Sequence, residues 1–204
     1  MDYFHELTQT VNRALDEDIR TGDVTASLID PEKKAHARIV TRQPAVVCGR
    51  PWVDEVLRQV DATITPQWHI KDGDQVQTGA LLLELTGKAR SLLTAERTAL
   101  NFLQLLSGTA TRTNTYVQMV EGTRATLLDT RKTIPGLRLA QKYAVKTGGA
   151  ENHRIGLFDA FLIKENHIAA AGSIAAAIEA ARQLQGDLRV EVEVEDLEQM
   201  REAI

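Results

Sequence analysis

Leu127-Leu128-Asp129-Thr130-Arg131-Lys132-Thr133, Phe161-Leu162-Ile163-Lys164-Glu165-Asn166-His167 and Val190-Glu191-Val192-Glu193-Val194-Glu195 follow one grammar: a short apolar run that ends in charge. Runs of this length, separated by helical segments such as Leu137 to Lys146 and the alanine-rich Ser173 to Leu184, are the pattern of parallel βα units. The spacing predicts strands at Ala125–Asp129, Ala160–Lys164 and Val190–Glu195. In parallel βα folds ligands bind beyond the C-terminal ends of the strands, so the charges at those ends are the first candidates for chemistry.

Before Gly122 the pattern differs. Phe4, Leu7, Val11 and Leu15 recur at spacings of three and four, which predicts an amphipathic helix over Tyr3 to Ile19. Short apolar runs around turns such as Lys71-Asp72-Gly73-Asp74 predict antiparallel strands within Ala35 to Gly49 and Gln67 to Leu85, with a helix over Trp52 to Val60 between them. A helix from about Leu92 to Leu106 is expected to break at Ser107-Gly108, with a second running to about Val120. Thr94 is read as a helix cap, with Arg97 free to reach an anion or to make a surface salt bridge. The architecture expected is an α+β front half and a βα back half resembling part of a barrel. Three or four βα units cannot close a barrel, and the chain stops at Ile204 inside an expected helix, so a fragment of a longer protein is favoured over an open sheet.

Composition excludes several function classes. With 204 residues and 43% hydrophobic content a sizeable core can form, and 24 Lys+Arg against 28 Asp+Glu leave a formal charge of -4. That balance gives no footprint for general nucleic-acid binding. A basic site must be local, and Arg131, Lys132, His153, Arg154 and Lys164 supply one: donors suited to carboxylates or phosphates. Each alone reads more readily as a solvated loop charge; it is their recurrence at strand ends that points to an anionic substrate. Glu191, Glu193 and Glu195 place carboxylates on one strand face, where they call for the basic cluster or a divalent cation as partners, unless the strand is a solvated edge. The lone Cys48 lies in an apolar run and excludes an internal disulfide, and no apolar stretch has the length of a membrane span. A cytoplasmic protein is expected.

These motifs, together with Glu17-Asp18, Gly22-Asp23-Val24-Thr25, Glu96-Arg97-Thr98-Ala99-Leu100-Asn101-Phe102 and Glu151-Asn152-His153-Arg154, resemble the quinolinate phosphoribosyltransferase family over essentially the whole chain. The resemblance implies an α/β protein with an N-terminal α/β sandwich domain, residues 1–107, and an open, incomplete α/β barrel, residues 108–204, whose last strands are absent from this chain. It implies a homodimer and a pentosyltransferase that joins quinolinate to phosphoribosyl pyrophosphate with Mg2+, giving nicotinate mononucleotide, pyrophosphate and CO2 in NAD biosynthesis. It further implies that Arg131, Arg154 and Lys164 bind the quinolinate carboxylates with His153 nearby, and that Arg97 reaches the partner's site. Lys132 would meet phosphate or carboxylate, Thr130 would line the site, and Glu193 would hold the metal and the ribose hydroxyls, which makes Lys132 and Glu193 the catalytic pair. Members of the family continue beyond this length with another metal-binding acid and phosphate loops. The 204-residue chain alone is therefore expected to bind phosphoribosyl pyrophosphate poorly and to turn over little. A relative acting on a different aromatic carboxylate, or a non-enzymatic anion-binding module, are the alternatives.

Overall fold

The computed structural model describes residues 1–204, which form two compact units, Met1–Asn152 and His153–Ile204. In the first, helix α1 (Leu7–Asp18) buries Val11 and Leu15. Strands β1 (Lys34–Val40), β3 (Thr65–Trp68) and β5 (Leu81–Lys88) form an antiparallel sheet in the order β1-β5-β3, with Arg38 opposite Glu84 and Trp68 opposite Leu83. Alternation along β1 exposes Lys34, His36 and Arg38 and turns Ala35, Ala37 and Ile39 toward the core. A second antiparallel pair joins β2 (Ala45–Val46) to β4 (Gln75–Val76).

Helix α2 (Arg50–Val60) starts where the sequence changes from strand to helix period, after Gly49 at φ 120°. The Asp72 carboxylate accepts from the Gly49 and Arg50 amides at 3.2 Å, and so neutralises the free N–H groups of the helix start. Tyr143 donates to the same carboxylate at 2.9 Å, and burial followed by the Asp72 charge raises the phenol's pKa. Cys48, buried beside this turn, has its thiol pushed up to about 12 by burial, which makes it a small core residue rather than a nucleophile.

Helix α3 is one unbroken element, Ala89–Val120, and the expected break at Ser107-Gly108 does not occur. The Ser107 hydroxyl accepts from the Cys48 amide at 3.0 Å and donates to the Cys48 carbonyl at 3.1 Å, so the polar residue that signals a stop instead pairs with the chain leaving β2. Thr94 lies inside this helix, not at its cap, and its hydroxyl donates to Asp23 at 3.0 Å. Helix α4 (Arg138–Thr147) crosses α3 closely at its C-terminal end: a Cβ on Gly148 would lie 2.5 Å from the Ala110 carbonyl oxygen. The expected strand Ala125–Asp129 is reduced to a single parallel bridge between Leu128 and Glu151. Only two amide bonds form there, Asp129 to Glu151 and Glu151 to Leu127, too few for a ladder.

The second unit keeps the βα grammar in miniature. Strands β6 (Phe161–Ile163) and β7 (Val190–Val192) pair in parallel, linked by α5 (Glu165–Ala171) and α6 (Ile174–Leu184), with α7 (Leu197–Ala203) following. Ile163, Ala177 and Ala181 form its core, and Ser173 caps α6 by accepting from the Ala176 amide. No closed barrel forms: the two-stranded parallel sheet is the only βα sheet. No helix is long and apolar enough to cross a membrane.

Candidate active site

In the first unit the bridge at Leu128 delivers Asp129 to the top of α4, and Thr130, Arg131 and Lys132 follow as a bend. Thr130 Oγ1 accepts from the Lys132 amide at 3.0 Å, which turns the chain tightly after Asp129. Arg138 then holds the far side of the bend through Thr133 at 3.2 Å. Lys132 is exposed, whereas Arg131 is half-buried and its Nε is buried with no hydrogen-bond partner. A buried guanidinium N–H lacking an acceptor carries a desolvation cost that an incoming carboxylate would remove.

Beneath the bend lies a network that the sequence does not announce. Lys142 is 1% exposed, and its Nζ is 2.5 Å from Asp129 Oδ1. Asn152 Nδ2 donates to Asp129 Oδ2 at 2.8 Å and to the Lys142 carbonyl at 2.9 Å. Tyr3 closes the network by donating to Asn152 Oδ1 at 2.6 Å, its own pKa raised first by burial. Lys142 sits between buried Ala140 and Ala144 on α4, small neighbours that leave room for its stem. Nothing in the period of the helix marks it. Arg97 stands exposed on α3 and makes no ion pair.

In the second unit the ends of β6 and β7 place opposite charges together. Lys164 N-caps α5, its amide donating to His167 Nδ1 at 3.0 Å, and its Nζ lies 2.6 Å from Glu193 Oε2 with both side chains about half exposed. The Glu193 amide donates to the Ile163 carbonyl at 2.8 Å, which extends the β6–β7 register by one residue and fixes this juxtaposition. Glu191 pairs with His153 Nε2 at 2.5 Å and with Arg189 at 2.8 Å. Arg154 is 8% exposed and donates to the Ala160 carbonyl at 3.1 Å, next to a turn in which Asp159 accepts from the Ile155 and Gly156 amides. The acidic alternation at Glu191 and Glu193 thus finds basic partners, while Glu195 is solvent-exposed.

A cleft of about 620 Å3 between α3 and residues 127–129 is lined by Leu105, Arg112, Tyr116 and Leu128 among others, and by none of the expected site residues. Its lining also includes Asp129. For a metal, the donors are sparse: no three His, Cys, Asp or Glu side chains gather, and Glu193 already carries the Lys164 ammonium. Magnesium commonly takes only one or two protein carboxylates and completes its shell with substrate phosphates and water. One exposed carboxylate at Glu193 fits a cation delivered with a phosphorylated substrate.

Comparison with known proteins agrees across both units. A model of the quinolinate phosphoribosyl transferase N-terminal domain matches residues 23–107, and one of the C-terminal domain of the same family matches residues 109–204. A relative from Bacillus subtilis (strain 168), a probable nicotinate-nucleotide pyrophosphorylase [carboxylating], is 44% identical over 200 residues, covering 98% of this chain and 69% of its own. The nicotinate-nucleotide pyrophosphorylase [carboxylating] of Mycobacterium leprae (strain TN) is also 44% identical, covering 97% and 71%. Among solved structures, the nicotinate-nucleotide pyrophosphorylase from Francisella tularensis superposes with a TM-score of 0.94 at 51% identity over 97% of this chain and 70% of its own. The chain belongs to the quinolinate phosphoribosyltransferase family.

Proposed function

We propose that this chain is a pentosyltransferase that joins quinolinate to phosphoribosyl pyrophosphate with loss of CO2, giving nicotinate mononucleotide and pyrophosphate in NAD biosynthesis. The carrying observation is Arg131, with its buried, unpartnered Nε beside exposed Lys132 in a bend held by Thr130. Quinolinate is a dianion whose carboxylates suit guanidinium forks, and Arg131, Arg154 and Lys164 supply the carboxylate contacts, with His153 nearby. Lys132 meets phosphate or carboxylate, and Thr130 lines the site.

The pyridine nitrogen attacks the anomeric ribose carbon as the bond to pyrophosphate breaks, and the ribose passes through an oxocarbenium-like state. Glu193 supplies the negative charge that stabilises this state, exchanging Lys164 for the ribose hydroxyls. Magnesium, when bound at Glu193 with the phosphates, neutralises charge on the leaving pyrophosphate. The alkylated ring nitrogen is a cationic electron sink, so the adjacent carboxylate leaves as CO2 without a dedicated general base, and the electron pair left on the ring carbon takes its proton from water. Positioning and electrostatics carry the chemistry, with no covalent enzyme intermediate. The working form in this reading is a cytoplasmic homodimer in which exposed Arg97 serves the partner's site, and residues 108–204 act as the barrel domain.

Calorimetric titration with quinolinate tests the assignment. Arg131→Ala should weaken binding at least tenfold; an unchanged affinity would remove Arg131 from the site.

A further inference from the structure

Asp129 immediately precedes the bend that carries Arg131 and Lys132, so its carboxylate is within easy chain reach of both cations. It nevertheless turns the other way. Oδ1 is held by Lys142 at 2.5 Å and Oδ2 by Asn152 at 2.8 Å, and Asn152 is itself held by Tyr3. The Asp129 amide is pinned to the Glu151 carbonyl at 3.2 Å, so the backbone entering the bend is fixed as well. Arg131 is left with a buried Nε and no partner, and Lys132 with an exposed ammonium.

A buried lysine is costly unless its charge is answered, and a buried carboxylate equally so. Removing Lys142 would take away a charged partner of Asp129, and Arg131 and Lys132, two and three residues further on, are within chain reach to answer its charge. Either capture would cancel one positive charge where an anion has to bind. We propose that Lys142 is a positioning residue: by holding Asp129 it keeps the charges of Arg131 and Lys132 available to a dianionic substrate, an inference that rests for its substrate on the function proposed above.

The test combines a readout that needs no ligand with one that does. Trace labelling of the full chain, Lys132 with an amine reagent and Arg131 with a dicarbonyl, each quantified by peptide mass spectrometry, reports whether either cation is captured. Calorimetry with quinolinate reports the consequence. In Lys142→Met, labelling of Lys132 or Arg131 should fall at least threefold and quinolinate affinity at least tenfold. Adding Asp129→Asn should return both to within threefold of the starting protein, because the capturing charge is gone. Asn152→Leu removes the amide donor to Oδ2 and serves if Lys142→Met does not fold: the same direction is expected at about threefold, with the same rescue. Folded variants with unchanged labelling and affinity, or losses that Asp129→Asn does not rescue, would overturn the proposal and leave the pair a fold support only. If labelling responds as expected but the starting protein fails to bind quinolinate, the substrate assignment fails and the role of Lys142 stands. If quinolinate binds but neither readout responds to Lys142, the reverse holds.

Discussion

The two units each hold a lysine–carboxylate pair, the first just after the isolated Leu128 bridge and the second at paired strand ends, with nearly the same N–O distance: 2.5 Å for Lys142–Asp129 and 2.6 Å for Lys164–Glu193. Their surroundings differ. The first pair is buried, 1% and 8% exposed, with both carboxylate oxygens engaged. The second is 41% and 55% exposed, and each member can exchange its partner for solvent or a ligand at little cost. Distance alone therefore does not distinguish a fixed element from a working one. Burial does: it makes Lys142–Asp129 a fixed pair, as the proposed positioning role requires, and leaves Lys164–Glu193 accessible, as the proposed substrate contact requires.

The comparison breaks most directly at the buried pair. Lys142→Met should destabilise the protein by about 3–5 kcal/mol, the usual result of removing one partner of a buried pair, seen as a lower urea midpoint at unchanged slope. A loss below about 1 kcal/mol would mean that Asp129 finds another partner at no cost. The seat of α4, which carries Lys142, is probed next. Gly148→Ala sets a methyl group 2.5 Å from the Ala110 carbonyl oxygen and should cost about 1–3 kcal/mol in the same assay.

Glu55 and Arg58 form an intermediate case, a mostly buried carboxylate under an exposed guanidinium. Hydrogen bonding from Arg58, against an opposing effect of burial, holds the Glu55 carboxyl at about 2, below its ordinary 4.5. A depressed carboxylate stabilises the fold above its unfolded pKa and loses that contribution as pH falls through the folded one. Thermal midpoints should therefore drop between about pH 4.5 and 2, and Glu55→Gln should flatten that part of the profile; an equally steep profile in the variant would assign the loss elsewhere. The smallest stability effect is expected at the exposed pair: Lys164→Ala should change unfolding free energy by less than about 1 kcal/mol while weakening quinolinate binding. A large stability loss with unchanged binding would reverse the roles given to the two pairs.

Much of this contrast was legible in the sequence. The charged strand ends at Ile163-Lys164 and Val192-Glu193 announce the parallel β6–β7 pair and the charges it brings together, because a parallel register aligns strand ends. The short apolar runs within Ala35–Gly49 and Gln67–Leu85, with the turn at Lys71–Asp74, likewise forecast the antiparallel strands of the first unit. What was not legible depends on tertiary partners. Ser107 reads as a helix stop, yet its hydroxyl is used up by Cys48, 59 positions away in the sequence, and α3 runs on. Residues 125–129 have a strand composition but one bridging partner, Glu151, so composition does not become a ladder. Lys142 is a strong helix former in a helix, with no local sign that its charge is buried. A buried ion pair between residues 13 apart has no periodic signature; it is visible only once the loop after Leu128 is placed over α4.

The central claim is that these cations recognise two carboxylates on one ring. Parallel calorimetric titrations with quinolinate and with nicotinate, which lacks one carboxylate, test it most directly. The account predicts at least tenfold tighter binding of quinolinate, and equal or tighter binding of nicotinate would contradict it.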